Sequence, residues 1–477
     1  MFGLDVSQQE AIGLTYILNQ LNPISQFGEE KKKKMAPFAP CEQEALMECF
    51  DNIENILFLL KENKEDVDEL CFHLMSLKNI RGIVHKCEKQ MLHQVELFEM
   101  KVFLLVYEKV EYAFRKLQEK GKLVGIHLKP LEEALDILDP EDKRIVSFVV
   151  ESEKLNEIRK EKRRVEGLLQ KEVTASGQSV LTTKRFQLVK EEGEEEARVQ
   201  QELTEKLRPY LSALLDNMDN LGKLDLLMAK ANLASSYQGV RPEVCKRGEV
   251  ILENMWNPFV ADVLAKNNQT LTKVSLILPE GVTIITGANM GGKSVSVKTA
   301  TLNVILCQLG FYVFADVAKI PLFEGVYLIS EDLQDIGRGL SSFGAEINRF
   351  NQIVGELKDS FLFIALDEFA KGTNPIEGTS IVRGVASYLC SSDSVCVMTT
   401  HYDQVVSPEF KHYQVVGLNI SKVKKKESPD LSSLAGAMDY NLIEADHTTS
   451  PPQDALHICE LLGVDHEVLE RIKGEYL

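Results

Sequence analysis

Eight consecutive residues, Gly287-Ala288-Asn289-Met290-Gly291-Gly292-Lys293-Ser294, have the spacing G-x-x-x-x-G-K-[ST]. The chemistry of that spacing is phosphate binding. Glycines let backbone N–H groups curl around a β-phosphate, Lys293 can reach the β- and γ-phosphates, and Ser294 can ligate Mg²⁺. A second chemical pair, Asp367-Glu368, closes the apolar run Phe361-Leu362-Phe363-Ile364-Ala365-Leu366. One carboxylate would hold Mg²⁺ through water and the other would polarise an attacking water, which assigns Asp367 to the metal and Glu368 to catalysis. A third candidate, His401, follows the run Val395 to Thr399 and is placed to sense a γ-phosphate, although a lone histidine at a strand end is also a common surface or capping residue.

These residues need a scaffold that brings three strand ends to one edge. From Val250 onward, short β-branched runs (Val282 to Thr286, Phe361 to Leu366, Val395 to Thr399) alternate with Gly-rich turns and helical segments, the pattern of an α/β layer with a largely parallel sheet. Ligands of such sheets bind at the carboxyl edge of the strands. Before Val250 the chain reads as nearly all α, with Leu, Glu, Lys and Met recurring at helical spacing over Leu57 to Leu77 and Met100 to Leu117. The spacing predicts a helical domain over 1–249 and an ATPase domain with a C-terminal helical tail over 250–477. Within the first, Glu151 to Lys171 and Leu188 to Arg208 are charged helical segments separated by the polar stretch Val173 to Thr183. They read either as two antiparallel lever helices with a short tip or as an ordinary solvated helical pair.

Composition narrows the partners. Among 477 residues, 72 are acidic and 54 basic, a formal charge of −18, whereas a dedicated duplex binder usually presents a basic face. The basic patches are local: Lys31 to Lys34, Lys162 to Arg164 and Lys184-Arg185, each of which is also what a solvated helix face looks like. Nine cysteines and nine histidines show neither C-x-x-C pairs nor ligand spacing, arguing against structural zinc and a disulfide framework. No basic leader opens the chain and no apolar run reaches a membrane span, so a cytoplasmic location without membrane contact is the expectation.

Taken together, Thr286 to Ser294, Leu340-Ser341-Ser342-Phe343, Leu366-Asp367-Glu368, Gly372-Thr373-Asn374-Pro375-Ile376-Glu377-Gly378 and Thr399-Thr400-His401-Tyr402 resemble the ATPase domain of the MutS family over about residues 250–406. Looser likeness extends upstream over Leu207 to Pro242, and the Asn-Pro-x-Glu-Gly wording is similar to the second MutS subfamily. The resemblance implies an α-helical lever domain followed by an α/β P-loop ATPase domain of the MutS/ABC type, ATP and Mg²⁺ as cofactors, and a homodimer in which the loop bearing Ser341 closes on the partner's nucleotide. Arg338 could act as a finger in trans. By family default the client would be DNA, as in mismatch repair.

Departures from the pattern qualify that client. Ala288 stands where the family usually has Pro, which leaves the phosphate-binding backbone intact. There is no room for the mismatch-reading domain, and Phe27-Gly28-Glu29 lacks its surroundings. The DNA-gripping clamp is reduced to about 173–185 and is followed by Glu191, Glu192 and Glu194 to Glu196, which repel phosphate. Nor does the chain reach the small nuclease domain of the second subfamily. The spacing of Phe259 to the phosphate loop does not fit the family's stacking aromatic, Trp256 reads as core, and no adenine pocket is assigned. Weak duplex binding without mismatch preference follows. A second resemblance lies in Leu138 to Ile145 and Ser152 to Arg164, similar to short MutS-related proteins associated with lysine or ornithine aminomutases. It implies the alternative of an ATPase subunit of a reactivase whose client is a cobalamin-dependent aminomutase.

Overall fold

A computed structural model describes residues 3–141, 150–288, 291–330, 342–402, 404–418, 438–447, 454–461 and 463–475. The chain divides into two compact units: Met1–Leu21, Met35–Phe50 and Asn232–Leu477 form one, and Asn22–Lys34 with Asp51–Ala231 the other. Two stretches from the N-terminal end of the chain thus belong with its C-terminal half.

The first unit is α/β. Its strands are β1 (Glu243–Cys245), β2 (Val250–Met255), β3 (Val274–Leu278), β4 (Gly281–Thr286), β5 (Val317–Pro321), β6 (Gly325–Ile329), β7 (Leu362–Asp367), β8 (Val395–Thr399), β9 (Lys411–Leu418) and β10 (Met438–Glu444). Six of them form a sheet in the order β10-β9-β4-β8-β7-β6, parallel from β9 to β6 with β10 antiparallel at one edge. Every residue of β4, β6, β7 and β8 is buried, which explains why these segments read as unbroken apolar runs: both faces of the strands are covered. Four more strands make a mixed sheet, β1-β5-β2-β3, which the sequence pattern does not announce. Between the sheets runs the helix Lys293–Gln308, packed on β2 as well as β6, β7 and β8 and buried from Val297 to Gln308 except for Lys298. The first residues of the chain cover the exposed edge of β6, where Gly3 N–H donates to Val326 O at 2.9 Å and Gln8 Nε2 to Leu328 O at 2.7 Å.

The second unit is helical. One of its helices, Gln94–Gln118, is buried along a face from Leu97 to Leu117, where Lys101 and Asp139 form an ion pair at 3.0 Å beneath the surface. Glu153–Leu169 and Ala175–Leu207 pair antiparallel around a narrow apolar seam of Ile158, Val165 and Leu188. The connection is shorter than the polar stretch predicts. Thr174 caps the second helix by accepting Gly177 N–H at 3.3 Å, so residues 175–183 are helical despite their Ser and Gly content.

Candidate nucleotide site

Register across the parallel sheet builds the site. Thr399 on β8 is level with Ile285 on β4 and with Asp367 on β7, so the ends of three strands meet at one carboxyl edge. From β4 the chain turns through Gly287 at φ 136° and enters the helix through Gly292 at φ 83°, both left-handed values that suit glycine. A Cβ at Gly287 would stand 2.9 Å from Val415 Cβ. The helix begins at Lys293 with no side chain capping its first N–H groups, which leaves those donors and the dipole facing the loop. Beneath the loop, the Thr286 hydroxyl meets His412 Nε2 at 2.8 Å, and His412 Nδ1 meets Asp446 O at 2.9 Å. Asn289 and Met290 lie outside the described residues.

Lys293 is buried, and its ammonium donates to Gly287 O at 2.8 Å and to Ala288 O at 3.1 Å. Burial holds its pKa below the ordinary lysine value, with Glu368 and Asp367 opposing the shift and Lys371 adding to it. A buried cation under that strain is a place where further negative charge is favourable. Asp367 is buried at the end of β7; its Oδ1 accepts from Thr399 Oγ1 at 2.7 Å and it is hydrogen-bonded to Ser294. Burial pushes its carboxyl above the usual range, and those two bonds pull it partly back. Glu368 sits at φ 54°, donates its N–H to Thr399 Oγ1 at 2.8 Å and pairs with Lys371 Nζ at 2.7 Å.

A cavity of about 810 Å³ opens from the loop, lined by Gly291 to Ser294 and Glu368 together with Trp256, Val260, Leu264, Gln269, Thr272 and Tyr440, the last standing directly over Gly292. That volume is within the usual range for a small-molecule site, and the lining mixes polar and apolar side chains. The part of its wall outside the loop was not legible in the sequence, because it combines the helix Pro258–Lys266, the segment 268–272 and the edge strand β10. Trp256, read as core, packs on Phe314 with centroids 5.4 Å apart and also lines this cavity. Phe259 turns away and packs on Tyr16, with centroids at 5.5 Å. Magnesium fits the donor set: Ser294 hydroxyl and Asp367 carboxyl are hard oxygens within bonding distance of each other, and such an ion usually takes one or two carboxylates with phosphates and water. Among the described residues no group of three or more His, Cys, Asp or Glu forms a protein-only metal cage.

His401 is exposed at the end of β8, its ring 4.4 Å from that of Tyr402, and it does not line the cavity. Ser341 and Arg338 lie outside the described residues. The sequence reading also missed Thr399, whose hydroxyl serves Asp367 and Glu368 together, and Lys371; a polar residue closing an apolar strand was the only available signal.

In the helical unit several cations of the basic patches are engaged by carboxylates. Lys162 pairs with Glu192, Arg159 with Glu196 at 2.7 Å, Lys184 with Glu161 at 2.6 Å and Arg185 with Glu166 at 2.8 Å, while Arg164 reaches Glu161 at 3.3 Å. Lys31 pairs with Asp219 at 2.5 Å. No described helix is long and apolar enough to cross a membrane.

Residues 283–473 match the family model described as MutS domain V. Among curated relatives, an Endonuclease MutS2 of Pediococcus pentosaceus is 26% identical over 281 residues, 59% of this chain and 34% of that protein. One of Leuconostoc mesenteroides is 31% identical over 234 residues, 49% of this chain and 28% of the relative. One of Streptococcus uberis is 30% identical over 262 residues, 53% and 32% respectively. The chain therefore spans about a third of the length of the curated relatives it matches. The matched segment carries the phosphate loop, the Asp367-Glu368 edge and the parallel sheet joining them, and over that segment the chain is similar to the MutS family.

Proposed function

We propose that this chain binds ATP with Mg²⁺ and hydrolyses it as a two-copy conformational switch. The observation that carries the reading is the convergence of buried Lys293, Ser294-bonded Asp367 and Glu368 beside uncapped helix N–H groups at one sheet edge. Gly287 to Ser294 would cradle the phosphates, Ser294 and Asp367 would hold the metal, and the cavity toward Trp256 and Tyr440 would take the base and ribose. Bound there, Mg²⁺ supplies charge neutralisation to the phosphates. Lys293 exchanges its bonds to Gly287 O and Ala288 O for phosphate oxygens. Glu368, released from Lys371, orients the attacking water and accepts its proton. His401 and the loop bearing Ser341 complete the site, the latter from the second copy.

The test is a pair of variants. Lys293→Ala should lose about 10- to 100-fold in ATP affinity, as loss of a charge-assisted contact does. Glu368→Gln should keep ATP binding while hydrolysis falls by about two to four orders of magnitude, and it should accumulate as an ATP-bound dimer on size exclusion. Parental binding and turnover in both folded variants would place the site elsewhere.

For the client, the relatives' printed name points to DNA, whereas the pairing of cations with glutamates across Glu153–Leu169 and Ala175–Leu207 favours a protein. Cations already neutralised release few counterions on meeting phosphate. The second reading is accordingly a reactivase ATPase acting on a cobalamin-dependent aminomutase, tested by pull-down of that enzyme with ATP-bound Glu368→Gln protein; capture of duplex DNA alone would reject it.

A further inference from the structure

We propose that Glu346 is a positioning residue for ATP hydrolysis, fixing from the helix Ser342–Leu357 the turn that carries Glu368. The proposal rests on the reading of Glu368 as the general base. Two non-glycine residues of this turn, Glu368 at φ 54° and Ala370 at φ 63°, occupy the left-handed region that L side chains rarely adopt. Such a conformation persists only where the surroundings impose it, and clusters of this kind accompany functional sites.

The bonds that impose it are specific. Ala370 N–H donates to Glu346 Oε2 at 2.9 Å, and Ala370 O accepts from the Tyr402 hydroxyl at 2.8 Å, so one peptide unit after another is held from two sides. On the strand side, Glu368 N–H is taken by Thr399 Oγ1. Between the two strained residues, the buried Phe369 ring packs on Phe350 with centroids 5.7 Å apart. Glu346 and Phe350 are four residues apart on one helix and therefore share a face. That face delivers a carboxyl and a ring to successive residues of the turn.

Glu346 is 3% exposed and Ala370 is fully buried. A carboxyl placed that deep is costly unless its bonding is needed, and an apolar side chain could fill the space without holding Ala370 N–H. Without that bond the turn can relax toward ordinary backbone angles, and Glu368, two residues away, swings off the water it must orient. Misplacement on the scale of an ångström is enough to cost about a hundredfold in rate.

The experiment compares Glu346→Ala, Glu346→Gln, Tyr402→Phe and Glu368→Gln in full-length protein by single-turnover ATP hydrolysis, ATP affinity and thermal melting. Glu346→Ala should slow hydrolysis about tenfold or more with ATP affinity held within about twofold, and Glu346→Gln, whose amide oxygen still accepts the Ala370 N–H, should restore the rate to within about threefold. Should Glu346→Ala fail to fold, Tyr402→Phe decides, with a several-fold slower rate at unchanged ATP affinity. Parental hydrolysis in Glu346→Ala or Tyr402→Phe beside an inactive Glu368→Gln overturns the positioning role and leaves the base intact. Parental hydrolysis in Glu368→Gln overturns the base assignment itself. Affinity and rate lost together in Glu346→Ala, without rescue by Gln, reduce Glu346 to a structural cap and also overturn the proposal.

Discussion

Thr399 Oγ1 donates to Asp367 Oδ1 at 2.7 Å, and the same oxygen accepts the Glu368 N–H at 2.8 Å. A single hydroxyl at the end of β8 therefore orients the proposed metal ligand and the peptide of the proposed base. Thr399→Val keeps the shape and removes both bonds, leaving the buried Asp367 carboxyl and the partly buried Glu368 N–H each short of a partner. A stability loss of about 1–3 kcal/mol in urea unfolding is expected. Because this bond lowers the Asp367 pKa, the acid limb of the ATPase pH profile should move to higher pH; an unmoved limb would show that Asp367 ionisation does not govern turnover.

Asp367 offers a second prediction with a defined sign. Its carboxyl is raised, chiefly by burial, so the folded state holds that proton more tightly than the unfolded state. The associated stability is present below the ordinary carboxylate range and is lost as pH rises through the unfolded and then the folded value. Nucleotide-free protein at about pH 7 therefore carries an ionisation penalty that Asp367→Asn removes. Its melting temperature should exceed the parent's at that pH, with the difference shrinking toward about pH 4, while Mg²⁺-dependent hydrolysis is lost. Scanning calorimetry at the two values decides, and a lower melting temperature at neutral pH would contradict the account.

Leu264 tests the proposed base cavity. It lines the cavity from the helix Pro258–Lys266, outside the phosphate loop, so Leu264→Trp should fill space there with Gly287 to Ser294 themselves unaltered. ATP affinity should fall about tenfold, corresponding to roughly 1.4 kcal/mol, with tripolyphosphate affinity unchanged. Equal losses for both ligands in calorimetric titration would mean that the substitution distorts the loop instead.

Duplex DNA should bind weakly, with no preference for a mismatch. The cations of the helical pair already face Glu161, Glu166, Glu192 and Glu196, and the whole chain carries a formal charge of −18. Titration of labelled homoduplex and heteroduplex with ATP-bound Glu368→Gln protein at two salt concentrations measures this. Tight, mismatch-selective association with a steep salt slope would establish the DNA client.

Local residue pattern determined much of this protein. The phosphate loop needs glycines at set positions, and buried parallel strands need continuous apolar residues, so Gly287 to Ser294, β4, β7 and β8 are written in short windows of sequence. Helical periodicity likewise marks the second unit. Tertiary structure decided what depends on residues far apart in the chain. Gly3 and Gln8 join the α/β unit because the edge of β6 offers carbonyls that need donors. The cavity wall gathers Val260, Gln269 and Tyr440 from three elements. Thr399 reaches Asp367 through strand register, and Glu346 reaches Ala370 through the packing of a helix on a strained turn. Lys162, Lys184 and Arg185 look like a basic surface in sequence and become glutamate partners only when two helices pair antiparallel. The physical reason is common to all of them: composition and period act on neighbours, whereas hydrogen bonds and ion pairs between distant residues exist only once the backbone has chosen its register.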